Sequence, residues 1–538
     1  MHTTESSKKP LNLEQIAGHL RSLLAEGRVD EAIEMMVAML SQLQTKNMEL
    51  VLKLMKMERE RSGRRSERMD PKQVSLMLEM IAEGISDEAD RAATEAEDEA
   101  LDTEHAEIEL PVSLRVPRRR RPSKDLPREI VQHDLAPEER LCRCCGEPMT
   151  KIGEDVSEIV ELIPAQFQVE EHHQSKYACS RCKETVVTAL GPGKLIEKGL
   201  PGPGLLAHVV VSKFEQHLPL TRLVEIYRRG GFTTSVSTMC GWVGAVAEEV
   251  KPIVERISQK AMASLELQTD GSGLNVLDRD DPEGIRRGTM WCCVGDRRHV
   301  IFRYAKDGSG EEGPWRYLQG REGYVQADAA NVFDRLYNGK KGQATEVGCL
   351  AHARRRYYDL VDSDVRVAYP LKLFGQLYRI ESLADLRKVT PEERLALRQS
   401  RSAPIMDRYH RWLLRTVSGE PPAGALAKAC AYSLNHWGAL TRFLTDGNLP
   451  LDNNLCEQQI RSLALGRRNY LFAGSDAGAE RAAILYSLLR TCALHGVEAF
   501  AYLKDILRKL AAGWPTDQID ELLPENWSAP TSSAEPEA

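Results

Sequence analysis

Between Ser264 and Asp328 the apolar residues change from helical spacing to alternation, and this change limits the class of fold. "SLELQTDGSG" predicts a short strand that ends at Asp270, before a glycine-containing turn. "GTMWCCVGDRRHVIFRYAKD" predicts a hairpin around Gly295–Arg298, and "GREGYVQADAANVF" predicts a strand, Tyr324–Ala327, that ends at Asp328. Helical patterns flank the region on both sides, so the sequence predicts a mixed sheet within a multidomain α+β protein.

Two acids are expected where strands of this sheet end. Side chains that follow neighbouring strands converge in the crevice at the sheet edge, so Asp270 and Asp328 would approach each other. Close carboxylates repel unless divalent cations neutralise them, and oxygen ligands suit Mg²⁺ or Mn²⁺. Glu457, on a later helix, would complete a set of three acids for two ions about 3.5 to 4 Å apart, which activate water or a 3′-hydroxyl against a phosphodiester.

An alternative remains for these acids. An Asp at a strand end is commonly a turn or cap residue. Other nearby aspartates could replace the first acid: Asp278, Asp280 and Asp281.

The segment "LPLDNNLCEQQIRSLALGRRNYLFAGS", residues 449–475, predicts the helix that carries Glu457. Pro450 and Asp452 are helix-start signals. An apolar stripe would face a core: Cys456, Ile460, Leu463 and Ala464. In isolation Glu457 and Arg461 would be a surface ion pair worth about 0.3 to 0.5 kcal/mol. With Arg467 and Arg468 close by in sequence, a lone acid among cations indicates a polyanion site.

Four cysteines form two CxxC pairs. They are Cys142 with Cys145 and Cys179 with Cys182, and a predicted strand, Ser157–Gln174, separates the pairs. Met1–Pro10 lacks the apolar core of a signal peptide and no long apolar run occurs, so we expect a cytoplasmic protein with reduced thiols. Two such knuckles predict a structural Zn²⁺ site, with redox chemistry as the alternative for either pair alone.

Charge is strongly segregated, although the net charge is only −7 over 538 residues. Asp87–Glu109 contains eleven acids and one Arg, and Arg115–Arg128 contains seven basic residues and one Asp. This pattern predicts a solvated acidic linker beside a basic arm. The arm would contact DNA phosphates through Arg118, Arg119, Arg120 and Arg121, and a spacer without a partner is the alternative.

Two helical regions precede the sheet. Leu11–Arg61 predicts two helices, Leu13–Ala25 and Val29–Arg61, in a helical hairpin or coiled-coil dimer. Further on, a helix over Leu218–Arg229, a glycine turn and a helix capped by Ser235 fit a helix-turn-helix, and equally an αα-hairpin. Three basic residues favour DNA binding by this pair: Arg222, Arg228 and Arg229.

Several long motifs carry a family resemblance. "VGCLAHARRRYYDL", "LLAHVVVSKFEQHLPLTRL", "RSGRRSERMDPKQ", the two knuckles and residues 449–475 resemble the large transposase of the insertion-sequence-sixty-six family, over roughly residues 55–525. The resemblance implies an RNase H-like DDE domain with Asp270, Asp328 and Glu457 as the motif acids, and a helical insertion between the second and third. Family members often follow the first acid with another acid and a Thr, whereas this chain has "TDGSG".

A basic helix accompanies the resemblance. His352, Arg354, Arg355 and Arg356 are expected on a helix that follows a strand, in contact with DNA phosphates. A metal role for His352 is less favoured. A solvated basic face is the alternative.

Together these observations predict eight segments. They are an N-terminal helical or coiled-coil arm (1–86), an acidic then basic linker (87–128), a zinc ribbon (129–195), a helix-turn-helix-like region (196–260), the first part of the DDE domain (261–337), a helical insertion (338–448), the DDE helix with its basic segment (449–475), and C-terminal helices with a disordered tail (476–538).

The predicted function is that of a bacterial insertion-sequence transposase. It would cut transposon ends and join them to target DNA, as a homodimer or larger oligomer because two ends need two active sites. The resemblance also suggests accessory transposition proteins. An inactive or domesticated DNA-binding protein is the alternative, and a zinc-dependent helical scaffold is a third class that gives Glu457 and its arginines no role.

Overall fold

The structure is a computed structural model that describes residues 13–25, 27–37, 88–108, 166–178, 186–197, 199–308, 312–337 and 343–529, with isolated positions between them. Its helices are α1 Leu13–Ala25, α2 Glu88–Ile108, α3 Pro203–Phe214, α4 Leu220–Arg229, α5 Val236–Ala263, α6 Pro314–Leu318, α7 Asp334–Tyr337, α8 Leu350–Tyr358, α9 Ala368–Arg387, α10 Pro391–Leu397, α11 Ala403–Gly419, α12 Ala425–Asn435, α13 Trp437–Leu440, α14 Asn454–Tyr470, α15 Asp476–Leu494 and α16 Ala499–Ala511. Its strands are β1 Lys176–Ala178, β2 Val186–Thr188, β3 Glu266–Leu277, β4 Ile285–Gly295, β5 His299–Ala305, β6 Glu322–Gln326 and β7 Gln343–Val347.

Five strands form the central sheet, in the order β5-β4-β3-β6-β7. Strands β3, β4 and β5 are antiparallel neighbours, whereas β6 runs parallel to both β3 and β7. The hairpin predicted around Gly295–Arg298 joins β4 to β5, and Asp296 and Arg297 adopt the positive φ that such a tight turn requires. The mixed sheet expected from the sequence is therefore confirmed.

Both faces of this sheet are buried, so alternate side chains of one strand enter different cores. In β4, Cys292 and Val294 join the larger cluster, which the helices α3, α4, α5, α14, α15 and α16 complete. Trp291 and Cys293 join a smaller cluster on the opposite face, under α6 and α7. This alternation follows from the two-residue period of a strand.

The edge strand β5 is covered by α15. The amide of Val300 donates to Thr491 Oγ1 at 3.1 Å, and the amide of Phe302 donates to Ser487 Oγ at 2.8 Å. These hydroxyls satisfy the outward-facing amides of an edge that would otherwise invite pairing with another chain. At its first turn, α15 presents Asp476, which accepts hydrogen bonds from arginine and tyrosine side chains of β4 and β5.

The helix pair predicted as a helix-turn-helix has one unusual member. Helices α4 and α5 are joined through Gly230 and Gly231, and Ser235 caps α5 by accepting from the amide of Thr238, as expected. However, α5 is a single helix of 28 residues that continues through Pro252. Its buried face is part of the main core, so α5 is primarily a core helix of the sheet domain.

Two segment predictions differ from the structure. Residues 343–347, assigned to the insertion, form β7, the fifth strand, so the helical insertion begins with α8. The acidic stretch predicted as a solvated linker is the helix α2, which packs against α9. The predicted C-terminal helices are present as α15 and α16, which complete the main core, and Leu522 and Leu523 beyond them are fully buried.

The zinc-ribbon region is described only in part. Strands β1 and β2 pair antiparallel, with Tyr177 opposite Val187. The predicted strand Ser157–Gln174 is wrong over 166–174, which have no regular structure. The predicted ligands Cys142, Cys145, Cys179 and Cys182 lie outside the described residues, as does the basic arm with Arg118, Arg119, Arg120 and Arg121.

Candidate active site

The first acid, Asp270, lies inside a strand and not at its end. Strand β3 continues through Gly271 to Leu277, and Asp270 pairs in register with Cys292 of β4. The glycines of "TDGSG" lie within the strand and do not form a turn. They allow the neighbouring strand β4 to approach closely, because a Cβ on Gly271 would lie 2.5 Å from the Trp291 ring. The Gly271 amide donates to Asp270 Oδ1 at 2.7 Å, which orients the carboxyl group.

The second acid, Asp328, follows β6 as the sequence predicts. Strands β3 and β6 are parallel, and Gln268 is the register partner of Gln326. Each glutamine therefore precedes its aspartate by two residues. This register brings Asp270 and Asp328 to the same edge of adjacent strands.

The third acid, Glu457, lies in the first turn of α14. The stripe predicted for this helix is confirmed at Cys456, Ile460 and Leu463, which are buried in the main core, whereas Ala464 is half-buried. Asp452 accepts from the amide of Asn454 at 3.1 Å and so shapes the helix start.

The two strand glutamines hold the start of α14 against the sheet. Gln268 donates to the Asp452 carbonyl and accepts from the Cys456 amide, both at 3.2 Å. Gln326 donates to the carbonyls of Pro450 and Gly348, at 3.1 and 3.0 Å. We call this pair, Gln268 and Gln326, the glutamine clamp. It connects both aspartate-bearing strands to the turn that carries Glu457.

Helix α8 is attached to the same turn. The Leu350 amide donates to the Leu451 carbonyl at 2.9 Å, and the Cys349 thiol donates to Asn453 Oδ1 at 3.3 Å. The first turns of α8 and α14 are thus adjacent, and His352 Nε2 lies 3.8 Å from Glu457 Oε1. His352 therefore lies beside one of the three acids, whereas the sequence analysis expected it to contact DNA phosphates.

The three carboxyl groups share one electrostatic environment. Burial, with a smaller contribution from the charges of Asp328 and Glu457, raises the pKa of Asp270 to about 6, and the Gly271 amide and His352 oppose this rise. Burial also raises the pKa of Asp328, opposed by His352. For Glu457, burial and Asp452 raise the pKa, whereas Arg461 lowers it. Each group is thus easier to protonate than a free carboxyl group.

The donor set fits a hard divalent cation in its chemistry. Carboxylate oxygens are the ligands that Mg²⁺ and Mn²⁺ prefer. As placed, however, no three His, Cys, Asp or Glu side chains within the described part of the chain are grouped closely enough to hold an ion together. Binding would therefore require rotation of these side chains toward a common point.

The predicted basic residues are distributed along two helices. Arg461 is exposed one turn beyond Glu457, whereas Arg467 and Arg468 lie about 15 Å or more beyond Glu457 along α14. On α8, the Arg356 guanidinium lies 3.8 Å from the centre of the Tyr432 ring, and that of Arg354 lies 5.6 Å from the Tyr358 ring. Arg355 is exposed and lowers the pKa of Glu457. The cations therefore form an extended rim, not a tight cluster.

One functional candidate, Arg287 of β4, could not be identified from sequence patterns. It joins the rim beside Arg467, and burial together with the charge of Arg287 lowers the pKa of Arg467. No spacing signal connects residues from separate strands and helices. Asp278, a substitute considered for Asp270, pairs with Arg286 just after the end of β3, eight residues beyond Asp270. Arg222, Arg228 and Arg229 are exposed on α4, where Arg228 pairs with Glu225.

Comparison with protein families gives a consistent result. Residues 198–481 match the model described as "Transposase IS66 family", which is more than half of the chain. Residues 139–183 match the "zinc-finger binding domain of transposase IS66", and 487–524 match the "IS66 C-terminal element". Residues 49–131 match "Transposase C of IS166 homeodomain".

Similar chains occur in Sinorhizobium fredii. Its uncharacterized protein y4hP is 32% identical over 510 residues, which cover 89% of this chain and 88% of y4hP. Its uncharacterized protein y4qI is 31% identical over 509 residues, with 89% of each chain covered. Among the described residues, no helix combines the length and apolar character needed to cross a membrane.

Proposed function

Because the chain belongs to the IS66 transposase family, we propose that it cuts phosphodiester bonds at the ends of its insertion sequence and joins the freed 3′-hydroxyls to target DNA. The observation that supports this proposal is that the β3–β6 register and the hydrogen bonds of both strands to the start of α14 bring Asp270, Asp328 and Glu457 to the same side of the sheet domain, near the arginines of α8 and α14. The sheet order supports an RNase H-like DDE fold, since three antiparallel strands are followed by two parallel ones.

Two reactions would use the same site. In the first, a water oxygen attacks phosphorus and the 3′ oxygen leaves as a 3′-hydroxyl, while the phosphate stays on the 5′ side. In the second, that 3′-hydroxyl attacks a target phosphorus and a target 3′ oxygen leaves. No covalent bond to the protein forms in either reaction. Both reactions build negative charge on phosphate oxygens, which the arginine rim would face.

Asp270, Asp328 and Glu457 would hold Mg²⁺ or Mn²⁺, which supplies Lewis-acid stabilisation of the phosphate when bound. His352 would orient Glu457, because it lies 3.8 Å from that carboxyl group. The glutamine clamp would keep the helix start in register with both strands. Arg354, Arg355, Arg356, Arg461, Arg467 and Arg468 would bind DNA phosphates along α8 and α14.

The remaining segments receive roles in recognition and assembly. The zinc module, with Cys142, Cys145, Cys179 and Cys182 as Zn²⁺ ligands, would recognise transposon ends together with Arg222, Arg228 and Arg229 of α4. The basic arm would add phosphate contacts. The N-terminal helical segment would pair subunits, because joining two ends requires two sites.

A DNA-binding protein without nuclease activity is the second candidate. The placement of the acids favours it, since they require side-chain rotation before they share an ion. The presence of all three acids at one edge favours the enzyme.

The test is cleavage of a labelled duplex that carries the element's ends, in the presence of Mg²⁺. We expect native protein to nick the duplex and Asp328→Ala to lose nicking, whereas Asp334→Ala, on the exposed surface of α7, serves as a matched control. Nicking that survives Asp328→Ala would overturn the site assignment. Binding of the ends by native protein without any nicking would establish the second candidate.

A further inference from the structure

The acidic helix α2 lies along a row of basic side chains on the insertion. Nine of its 21 residues are acids and one is Arg. Glu97 pairs with Arg401 at 2.7 Å, and Asp98 pairs with Lys372 at 3.0 Å. We call the row of cations that α2 faces the insertion basic face: Lys372, Arg379, Arg387, Arg401, Arg411 and Arg415.

Charge dominates this contact. Among the side chains described for α2, Leu101 is the one large apolar residue, and it is fully buried against the insertion core. Lys372 and Asp98 are 8% and 23% exposed, and Arg401 and Glu97 are 17% and 21% exposed, so removing the anion would leave largely buried cations unpaired. Such cations require an anionic partner, and a helix held mainly by matched charge is replaceable by another polyanion.

The helix satisfies the buried polar groups beneath it only in part. Arg408 is 7% exposed, and its Nε and Nη2 have no hydrogen-bond partner, although Asp90 and Glu97 of α2 act on it electrostatically. Gln376 donates to the Thr94 carbonyl at 2.7 Å, but its own Oε1 is buried without a partner. Each unsatisfied buried group costs about 1 to 3 kcal/mol. The contact between α2 and the insertion is therefore incompletely hydrogen-bonded, and two nitrogens of the buried Arg408 guanidinium have no hydrogen-bonded anion.

We propose that the insertion basic face binds the sugar-phosphate backbone of duplex DNA, and that α2 occupies this face until DNA displaces it. From Asp90 to Glu104 the paired acids of α2 extend about 21 Å, at 1.5 Å per residue. That length matches about six base-pair steps of 3.4 Å, over which a duplex presents about twelve phosphates. The inference rests on the proposed function only in taking DNA as the polyanion.

The test compares two double variants that change the charge of α2 equally. Glu97→Gln with Glu104→Gln removes the acids that pair with Arg401 and Arg387, whereas Glu95→Gln with Glu99→Gln neutralises exposed acids on the same helix. Binding of a duplex without transposon ends is measured by fluorescence anisotropy, in EDTA, over a range of salt.

We expect the first variant to bind about fivefold or more tightly than native protein, with a steeper salt dependence by about 0.9 per additional phosphate contacted. The control variant should bind much less tightly than the first. Adding Arg387→Gln and Arg401→Gln to the first variant should abolish the gain. Equal affinity of the two double variants, or a gain that survives the arginine substitutions, would overturn the proposal.

Hydrogen exchange of native protein provides a second measurement if a variant folds poorly. Added duplex should accelerate exchange of the amides of residues 88–108, because the displaced helix loses its support. Unchanged or slower exchange would contradict displacement. Neither readout depends on cleavage, so failure here and failure of the Asp328→Ala comparison are distinguishable.

Discussion

The glutamine clamp provides the sharpest test of how the site is assembled. Gln268→Met keeps the volume of a side chain that is 1% exposed and removes both its hydrogen bonds, to the Asp452 carbonyl and from the Cys456 amide. Two buried backbone groups would then be unpaired, at about 1 to 3 kcal/mol each. We therefore expect a loss of about 2 to 6 kcal/mol, concentrated at the start of α14.

Two measurements locate this loss. Hydrogen exchange should show the Cys456 amide about 5- to 150-fold less protected, since 1 to 3 kcal/mol corresponds to that factor. Cleavage of the end-carrying duplex should fall about 100-fold, because a displacement of about 1 Å at a catalytic group costs this much. The effect on cleavage would act through the position of Glu457, as Gln268 itself touches no substrate in the proposed site.

Gln459→Met, on α14 itself, is the matched control. Gln459 is 2% exposed, donates to the Leu455 carbonyl at 3.2 Å and accepts from Arg490 at 2.9 Å. Its loss should lower stability but leave cleavage and Cys456 protection close to native. The reasoning is refuted if Gln268→Met retains native protection and cleavage, or if both variants lose cleavage equally.

Three further predictions concern packing, pH and zinc. Gly271→Ala should lower the free energy of unfolding by about 1 to 3 kcal/mol, because the new Cβ overlaps the Trp291 ring. Gly375→Ala, on the exposed face of α9, should raise the free energy of unfolding by about 0.5 to 1 kcal/mol. The thermal midpoints of the two variants check both signs. Hydrogen bonds lower the pKa of Asp476, so the stability that its carboxylate contributes is present above about pH 4 and is lost as the pH falls further. The thermal midpoint of native protein should therefore exceed that of Asp476→Asn at pH 7 and approach it at pH 3. Cys179→Ser should lower the zinc content measured by mass spectrometry, and unchanged stoichiometry would argue against the ribbon.

Local patterns in the sequence were sufficient for the elements on which the site is built. The apolar stripe of α14, the β4–β5 hairpin and the strand before Asp328 all have a period that identifies both the element and its buried face. The resemblance to family motifs then predicted the three acids as a set. These features depend on neighbours within a few residues, so they are readable without the fold.

Other features depend on contacts between distant residues. The glycines after Asp270 look like a turn, yet they lie within a strand because Trp291 and Arg287 of the neighbouring strand need the space of the missing side chains. The glutamine clamp joins Gln268 to a turn more than 180 residues later. No local spacing indicates such a partner.

The acidic stretch shows the same division. Its composition determined a strongly charged, helix-compatible segment, but only the tertiary structure decided that the segment packs on the insertion, since the matching cations come from helices almost 300 residues away. A residue's own sequence neighbours set its preferred backbone conformation, whereas its charge partners and burial are set by which surfaces the fold brings together.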